Sequence, residues 1–274
     1  MINKANVNNV LSIAGSDPSG GAGIQADLKA FSANRVYGMA VITALTAQNT
    51  QGVDGIYPIP ADFISLQIQT ILNDITVDAV KVGMTVNSEV SKAIGIKLKD
   101  SKIKNIVVDP VMVAKGGSHL LDESAIETIK EWLLPLATII TPNLPEAAVL
   151  LKKSPAKSKK EIMEQAKELL DLGPSAVLIK GGHLQGKKSP DLLLTSDSEL
   201  WLDGERIDTK NTHGTGCTLS STIAAYLARK LSIEEAVSDA KGYITGAIRY
   251  SSDITVGQGH GPTNHFFNIW KHLN

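Results

Sequence analysis

Short apolar runs and amphipathic stretches alternate along the chain, and this alternation constrains the fold more than any other feature. Near-continuous apolar runs predict buried strands at residues 10–14, 39–46, 79–83, 106–109, 138–141 and 176–180. Apolar residues at helical spacing predict helices at 24–33, 63–72, 90–98, 124–134 and 161–172. A short meander over 192–202 and three helices from residue 217 onward complete the pattern. This order is typical of an α/β protein with a mostly parallel sheet between helical layers.

The composition describes one domain without an evident macromolecular ligand. The 274 residues contain no internal repeat or long linker, and the lysine-rich stretch 152–160 predicts a solvated loop, so we expect a single domain over 1–274. A net charge of −1 gives no basic surplus for nucleic acid or an anionic membrane. The single cysteine excludes an internal disulfide, and we find no signal-peptide core or bilayer-spanning run. We therefore expect a cytoplasmic protein.

Chemically useful side chains follow the predicted strands. In open α/β sheets, ligands bind beyond the carboxyl ends of the strands. Each of these side chains alone could cap a helix or close a turn, but their recurrence at strand ends predicts a ligand site there. The residues are Asp17, Gln48, Met84, Asp109, Asn143 and Lys180.

The stretch Asn211-Thr-His-Gly-Thr-Gly-Cys217 opens an apolar helix. The first amides of a helix lack intrahelical partners, and the helix dipole favours negative charge there. Gly214 and Gly216 would let a ligand approach the backbone, so the stretch is a candidate anion cradle with Cys217 at its mouth, where a thiolate would be stabilised. An ordinary glycine turn with a structural cysteine is the alternative.

Two common nucleotide-binding motifs nearly match and fail in context. Residues 21–26 fit G-x-G-x-x-A, but the preceding loop is too long for the tight turn and the ribose-binding acid is missing after the second strand. Residues 181–188 approach a Walker A motif, but Lys188 replaces the Ser/Thr, and Pro190 with a strand-like run follows. Neither motif is a basis for function.

The acidic positions have both structural and functional interpretations. Asn143 followed by Glu146 predicts a helix capping box, or an acidic site that holds Mg²⁺ through waters. Asp109 could close a turn or face a ligand under the glycine-bearing loop after it. Lys180 offers a cation to a phosphate at its strand end.

Five stretches together carry a family resemblance. The chain resembles hydroxymethylpyrimidine/phosphomethylpyrimidine kinases of thiamin biosynthesis, a branch of the ribokinase-like superfamily, over about residues 9–267. The stretches are Gly15-Ser-Asp-Pro-Ser-Gly-Gly-Ala-Gly-Ile-Gln-Ala-Asp-Leu-Lys29, Thr46-Ala-Gln-Asn-Thr50, Asp109-Pro-Val-Met112, Thr141-Pro-Asn-Leu-Pro-Glu-Ala147 and Asn211-Thr-His-Gly-Thr-Gly-Cys-Thr-Leu-Ser220.

The resemblance implies a three-layer α/β/α ribokinase-like fold and two successive phosphoryl transfers from Mg·ATP to the pyrimidine, usually in a homodimer. It places the pyrimidine against Gln48, Asp27, Met84 and Val111. It gives catalytic roles to Cys217, Gly214 and Gly216, and ATP contacts to Lys180, Asn143 and Thr212. Asp109 and Glu146 become partners of Mg²⁺, largely through waters, a role that the capping box does not exclude.

Cys217 stands where sugar kinases of the superfamily carry an aspartate base. A thiolate could take the proton of the alcohol in the first transfer. The second nucleophile is an anionic phosphate and needs no base. A fixed carboxylate about 4 Å away would repel it by roughly 4 kcal/mol, whereas a thiol can stay neutral. We infer that cysteine suits an enzyme performing both transfers.

Two other functions remain in view. Pyridoxal kinase shares the implied fold, but the bacterial forms resembling this chain can carry a second cysteine where this chain has Ala114. A side activity on pyridoxal is compatible with the same site. A non-catalytic pyrimidine-binding protein would tolerate loss of Lys180, Asn143, Glu146 or Cys217, all of which are present. Whether the 112–120 loop closes as a lid is left open.

Overall fold

A computed structural model describes residues 7–112, 123–184 and 189–270. Its main sheet has eight strands in the order β10-β9-β8-β7-β6-β5-β1-β2. The neighbours from β2 through β8 pair in parallel, while β9 and β10 form an antiparallel edge. The strands are β1 (Asn9–Ala14), β2 (Tyr37–Ile42), β3 (Ala44–Gln48), β4 (Val53–Pro58), β5 (Ala79–Val82), β6 (Asn105–Val108), β7 (Ile139–Ile140), β8 (Ala176–Ile179), β9 (Asp191–Thr195) and β10 (Glu199–Leu202).

Helices cover both faces of this sheet, which confirms the α/β/α prediction. One apolar core lies between the sheet and α2 to α6, and a second lies between the sheet and α1, α7 and α8. Strand side chains alternate between these cores, because successive residues of a strand point to opposite faces. The helices are α1 (Gly23–Ala33), α2 (Ala61–Asp74), α3 (Ser88–Lys99), α4 (Glu123–Trp132), α5 (Leu144–Leu151), α6 (Lys159–Leu170), α7 (Thr215–Ala228) and α8 (Ile233–Arg249).

The prediction of one strand over residues 39–46 is wrong. The run is divided at buried Thr43, whose amide donates to Ala14 O and whose hydroxyl donates to Met84 O. The bond to Ala14 O is the last of the β1–β2 ladder. Beyond Thr43 the chain leaves the main sheet, and β3 pairs with β4 in a separate antiparallel hairpin. The strand β4 was not predicted because five of its six residues are exposed and carry no clear apolar pattern.

The C-terminal prediction needs a smaller correction. Within the described residues, α7 is followed by one further α-helix, α8, and then by a short 3-10 helix at Ser251–Asp253 rather than a second long helix. The predicted meander is confirmed as the β9–β10 hairpin. None of the helices in the described ranges has the length and hydropathy that a membrane span requires. Apart from Met112, the 112–120 loop lies outside the described residues.

Candidate active site

A cavity of about 830 Å³ lies at the carboxyl ends of the parallel strands, where the sequence predicted a site. All six strand-end residues line it: Asp17, Gln48, Met84, Asp109, Asn143 and Lys180. Val111, Glu146, Thr212 and the Gly214–Cys217 stretch also border it. Residues from distant parts of the chain converge here because the parallel strands end at one edge of the sheet.

Asp109 and Lys180 form an ion pair that borders the cavity, which we call the open pair. Lys180 Nζ lies 3.0 Å from Asp109 Oδ1 and 3.8 Å from Glu146 Oε2. Thr141 and Ser220 donate the remaining hydrogen bonds to Asp109. Burial alone would raise the pKa of Asp109, but the Lys180 and Lys81 ammonium groups and these hydrogen bonds hold it below its usual value. The cluster therefore contains two carboxylates around one ammonium group.

Glu146 closes the predicted capping box and also faces Lys180. Asn143 Oδ1 accepts from the Glu146 amide at 2.9 Å, and Glu146 Oε2 accepts from the Asn143 amide at 2.7 Å. Burial, with the nearby Asp109 charge, raises the pKa of Glu146 to about 7 despite the attraction of Lys180. A divalent cation would relieve this excess of negative charge, so the carboxylates fit Mg²⁺. The described residues hold no cluster of three or more acidic, His or Cys side chains placed to ligate a metal ion.

The glycine stretch forms a tight cradle at the start of α7. Gly214 caps the helix in the left-handed region with φ 75°, and a Cβ there would lie 1.7 Å from Gly21 O. A Cβ on Gly216 would lie 3.4 Å from Lys180 Nζ, in the space in front of the ammonium group. The amide of Thr215 donates to Thr212 O, whereas those of Gly216 and Cys217 precede the first intrahelical acceptor. These two amides and the Lys180 cation border one volume, which is suited to an anion.

Cys217 borders the cavity in the first turn of α7. The expectation that the cradle stabilises its thiolate is not supported for the free protein. Burial raises the pKa of the thiol to about 11, although the Lys81 ammonium and the amide of Gly23 act in the opposite direction. The resting side chain is therefore a neutral thiol at neutral pH.

Asp27 and Lys81 form a second ion pair, which we call the sealed pair because both side chains are fully buried. Both carboxylate oxygens of Asp27 lie 2.9 Å from Lys81 Nζ. Ser12 and Ser221 donate the other hydrogen bonds to this carboxylate, at 2.6 and 2.7 Å. Lys81 borders the cavity, but Asp27 lies behind it. The direct contact with a pyrimidine that the family resemblance implies for Asp27 stays a prediction.

Gln48 is the last residue of β3, and its side chain borders the cavity. Its side-chain nitrogen lies 3.4 Å from His213 Nε2. That ring nitrogen lies 2.7 Å from Asp17 Oδ2 and must carry a proton to donate to a carboxylate. Burial would raise the pKa of Asp17, but His213, Ser19 and the amide of Ala22 hold it below its usual value. Asp17 thus orients His213 beside Gln48.

Sequence analysis assigned no role to Lys81 or His213. Lys81 is hidden in the apolar run of β5, and its partner Asp27 lies 54 residues earlier. His213 belongs to the recognised glycine stretch, but its partner Asp17 is 196 residues away. The sequence signal for Lys81 was its position as an ionisable residue within an apolar strand, because a buried charge needs a partner.

The fold and site define a kinase of the ribokinase-like type. An ADP complex of pyridoxal kinase from Bacillus subtilis superposes with a TM-score of 0.89 at 40% identity, covering 98% of this chain and all of that one. The model of the phosphomethylpyrimidine kinase family matches residues 17–264.

Two relatives give the more particular assignment. Hydroxymethylpyrimidine/phosphomethylpyrimidine kinase of Salmonella typhimurium is 48% identical over 262 residues, covering 96% of this chain and 98% of that protein. A phosphomethylpyrimidine kinase structure from Clostridium difficile has 45% identity and a TM-score of 0.78, covering 88% of this chain and 99% of that one. This chain belongs to the phosphomethylpyrimidine kinase family.

Proposed function

We propose that this protein transfers the γ-phosphoryl group of ATP to 4-amino-5-hydroxymethyl-2-methylpyrimidine and then phosphorylates the monophosphate to the diphosphate. The observation that carries this proposal is the single cavity in which Gln48, the Gly214–Cys217 cradle and the open pair meet. Phosphoryl transfer depends mainly on positioning and on neutralising charge, and these groups supply both.

The phosphate end of the cavity is assigned to ATP. Lys180 and the amides from Gly214 to Cys217 would neutralise the transferring group, while Asn143 and Thr212 border the nucleotide. Asp109 and Glu146 would hold Mg²⁺, largely through waters, and the ion supplies charge neutralisation between the phosphates. The raised pKa of Glu146 supports this part, because a second carboxylate beside Asp109 is costly without a further cation.

The pyrimidine end is assigned to the region under the β3–β4 hairpin. Ala14, Met84, Val111 and Met112 give this end apolar walls, and Gln48 offers both a donor and an acceptor to an aminopyrimidine edge. Asp27 acts from behind Lys81 rather than by direct contact, because Ser12, Ser221 and Lys81 already bind its oxygens. This assignment modifies the role that the family resemblance implied for Asp27.

Cys217 is assigned as the base of the first transfer. The thiolate would take the proton of the hydroxymethyl group while its oxygen attacks the γ-phosphorus and ADP leaves. In the second transfer the nucleophile is already ionised, and the neutral thiol avoids repelling it. The pKa of about 11 supports the second half of this assignment, and it requires that the active site stabilise the thiolate during the first transfer.

Pyridoxal phosphorylation is the alternative activity, and we place it second. The fold does not separate the two activities, since the pyridoxal kinase of B. subtilis superposes at least as well as the pyrimidine kinase structure. Sequence identity favours the pyrimidine, at 48% for the S. typhimurium kinase against 40% for that pyridoxal kinase. Ala114, the position that bears on this choice, lies outside the described residues.

An ATP-consumption assay tests the choice directly. It compares the hydroxymethylpyrimidine, its monophosphate, pyridoxal and pyridoxine under one set of conditions. We expect both pyrimidines to have the higher kcat/KM, with pyridoxal as a side substrate. A higher kcat/KM for pyridoxal, or no turnover of the monophosphate, would contradict the proposal.

A homodimer in the cytoplasm belongs to the same proposal. The β3–β4 hairpin and α2 expose large apolar side chains, namely Leu45, Ile56, Tyr57, Phe63 and Leu66. Exposed apolar groups of this size on neighbouring elements favour a protein interface. Sedimentation of the wild type and of Tyr57→Glu checks this: we expect a dimer that the substituted chain forms less readily. A wild-type monomer at micromolar concentration would contradict it.

A further inference from the structure

The sealed pair has no assigned role in the two phosphoryl transfers proposed above. Lys81 lies in the middle of β5, whose other residues are apolar, and all four are buried. Moving two charges out of water carries a large desolvation penalty, which their mutual attraction does not reliably offset. An aliphatic residue at this position would avoid that penalty. The fold alone therefore gives little reason for a lysine here.

The contacts of the pair fix its orientation. Asp27 lies on α1 and is held by Ser12 of β1, Ser221 of α7 and Lys81 of β5. Its carboxylate is thus surrounded by three elements and stays behind the cavity wall. Lys81 is one of the residues that line the cavity, although its side chain is fully buried, and Asp27 is not one of them. Lys81 is therefore the member of the pair that lies nearer to the cavity.

The same helix face carries Ser221 and Cys217. The two residues are four positions apart on α7, so they lie on one side of the helix, one turn from each other. Four charged groups act on Cys217: Lys81 of β5, Asp27 of α1, Asp109 after β6 and Lys180 after β8. Among them, the Lys81 ammonium is the largest influence that favours the thiolate.

We propose that Lys81, held in place by Asp27, is a positioning residue that stabilises the thiolate of Cys217 for the first phosphoryl transfer. The thiolate takes the hydroxyl proton, the alcohol oxygen forms its bond to the γ-phosphorus, and the bond to the bridging oxygen breaks with its electron pair leaving on ADP. This proposal rests on the role assigned above to Cys217. The second transfer needs no base and depends less on Lys81.

The sole cysteine of the chain makes the thiolate directly measurable. The rate of iodoacetamide alkylation against pH reports on Cys217 alone, since the thiolate is the reactive form. In Lys81→Met, we expect the midpoint to rise by about one pH unit or more, which is about tenfold slower alkylation at a fixed lower pH. In Asp27→Asn, the uncompensated ammonium should lower the midpoint. Lys99→Met, which removes an exposed lysine outside the cavity, is the matched control and should not shift it.

Kinetics on the intact enzyme give the second measurement. Lys81→Met should slow the first transfer about tenfold or more at neutral pH and slow the second by a smaller factor. Because each single change leaves a buried charge without its partner, melting temperatures accompany both. If either single variant fails to fold, the double variant Lys81→Met/Asp27→Leu removes both charges and should still show a raised alkylation midpoint.

Three outcomes would overturn parts of the proposal separately. Thiolate stabilisation would be rejected if the alkylation midpoint is unchanged in Lys81→Met and in the double variant. It would also be rejected if both single variants shift that midpoint by the same amount in the same direction. Shifted midpoints with equal slowing of both transfers would reject the link to the first transfer. If the wild type phosphorylates neither pyrimidine, the proposed function fails, while the alkylation result still stands as a property of the protein.

Discussion

The two buried lysine–aspartate pairs differ in what surrounds them. In the sealed pair, Asp27 and Lys81 are both inaccessible and balance one another, and the hydrogen bonds to the carboxylate come from serines. In the open pair, Lys180 retains 15% of its side-chain exposure and faces Glu146 as well as Asp109. Together with Glu146, the open pair therefore has two carboxylates for one ammonium group, and that ammonium group is accessible. Binding a phosphate requires an accessible cation, and binding a metal ion requires surplus negative charge. A pair that only shifts the pKa of a neighbouring group requires neither property.

This difference assigns a separate part of the reaction to each end of the cavity. Changes at the open pair should affect both phosphoryl transfers alike, because both use ATP. Changes near the sealed pair should separate the two transfers or affect the pyrimidine alone. Substitutions at four positions test this division, in descending order of expected effect.

Lys180→Met should have the largest effect. It removes the cation that faces the transferring phosphoryl group and leaves Asp109 and Glu146 without their shared partner. We expect kcat to fall about 10³-fold for both transfers, the upper range for losing one preorganised transition-state donor. Single-turnover rates with each pyrimidine measure this, with melting temperature as the folding control. A near-wild-type rate for either transfer in this variant would contradict the assignment of the open pair to both transfers.

Cys217→Ser should come next and should separate the transfers. Its hydroxyl offers no thiolate near neutral pH, so the first transfer should fall by about 10²-fold and the second by much less. Cys217→Asp should instead keep the first transfer and impair the second through charge repulsion. Each substrate is assayed alone, and equal losses in both variants would leave Cys217 as a packing residue of the phosphate site.

The wild-type pH profile checks the same point. Because the thiol has a pKa of about 11 and the base must be deprotonated, kcat/KM of the first transfer should rise with pH below that value. The second transfer should not share that rise. Parallel profiles would contradict the role of Cys217.

Glu146→Gln should have an intermediate effect that magnesium partly reverses. Glutamine retains the capping box but lacks the charge, so activity should fall at low Mg²⁺ and recover at high Mg²⁺. Unchanged activity at low magnesium would leave the cap as the whole role of Glu146. Glu127→Gln, an exposed carboxylate on α4, serves as the matched control.

The same variant gives a stability test with a defined sign. The carboxyl pKa is about 7 in the folded protein and 4.5 in its reference state, so the folded state binds more protons between these values. Glu146 therefore lowers the free energy of unfolding as pH rises from 4.5 to 7. Removing it should raise Tm more at pH 8 than at pH 5, by about 2–4 °C per kcal/mol. Equal shifts at both pH values would contradict the raised pKa.

Gln48→Leu should have the smallest effect and should be confined to the pyrimidine. Leaving the buried polar groups of the pyrimidine unpaired costs about 1–3 kcal/mol for each group, so KM for the pyrimidine should rise roughly tenfold. KM for ATP should stay near its wild-type value. Gln51→Leu changes an exposed glutamine beyond the end of the same strand and should alter neither constant. A rise in KM for ATP would argue against the division of the cavity.

Local patterns sufficed for the parts of the fold that local physics decides. The runs that form β1, β5, β6 and β8 are apolar because both faces of a covered parallel sheet are buried. The capping box from Asn143 to Glu146 was visible because its partners are three residues apart. The strand ends also indicated the cavity, since parallel strands finish at one edge.

The remaining features depend on contacts between distant residues. The break at Thr43 coincides with contacts to Ala14 and Met84, and nothing within the apolar run marks it. The raised pKa of Cys217 follows mainly from desolvation in the folded protein, although its helix-terminal position had suggested a stabilised thiolate. The partners of Asp27 could not be predicted, because a family motif records which residues occur but not which distant side chains they contact.

The close packing of Gly21 against Gly214 joins an early and a late part of the chain, which matters during translation. Gly214 leaves no room for a side chain because Gly21 O occupies that space, and a Cβ on Gly21 would lie 2.3 Å from the His213 ring. One wall of the phosphate site is thus made early on the ribosome and the other near the end of translation. The helix α7 also covers β1, β5 and β6, which are complete long before it emerges. Until α7 emerges, these three strands lack the helix that covers part of one of their faces, and the cradle that α7 completes is not yet formed.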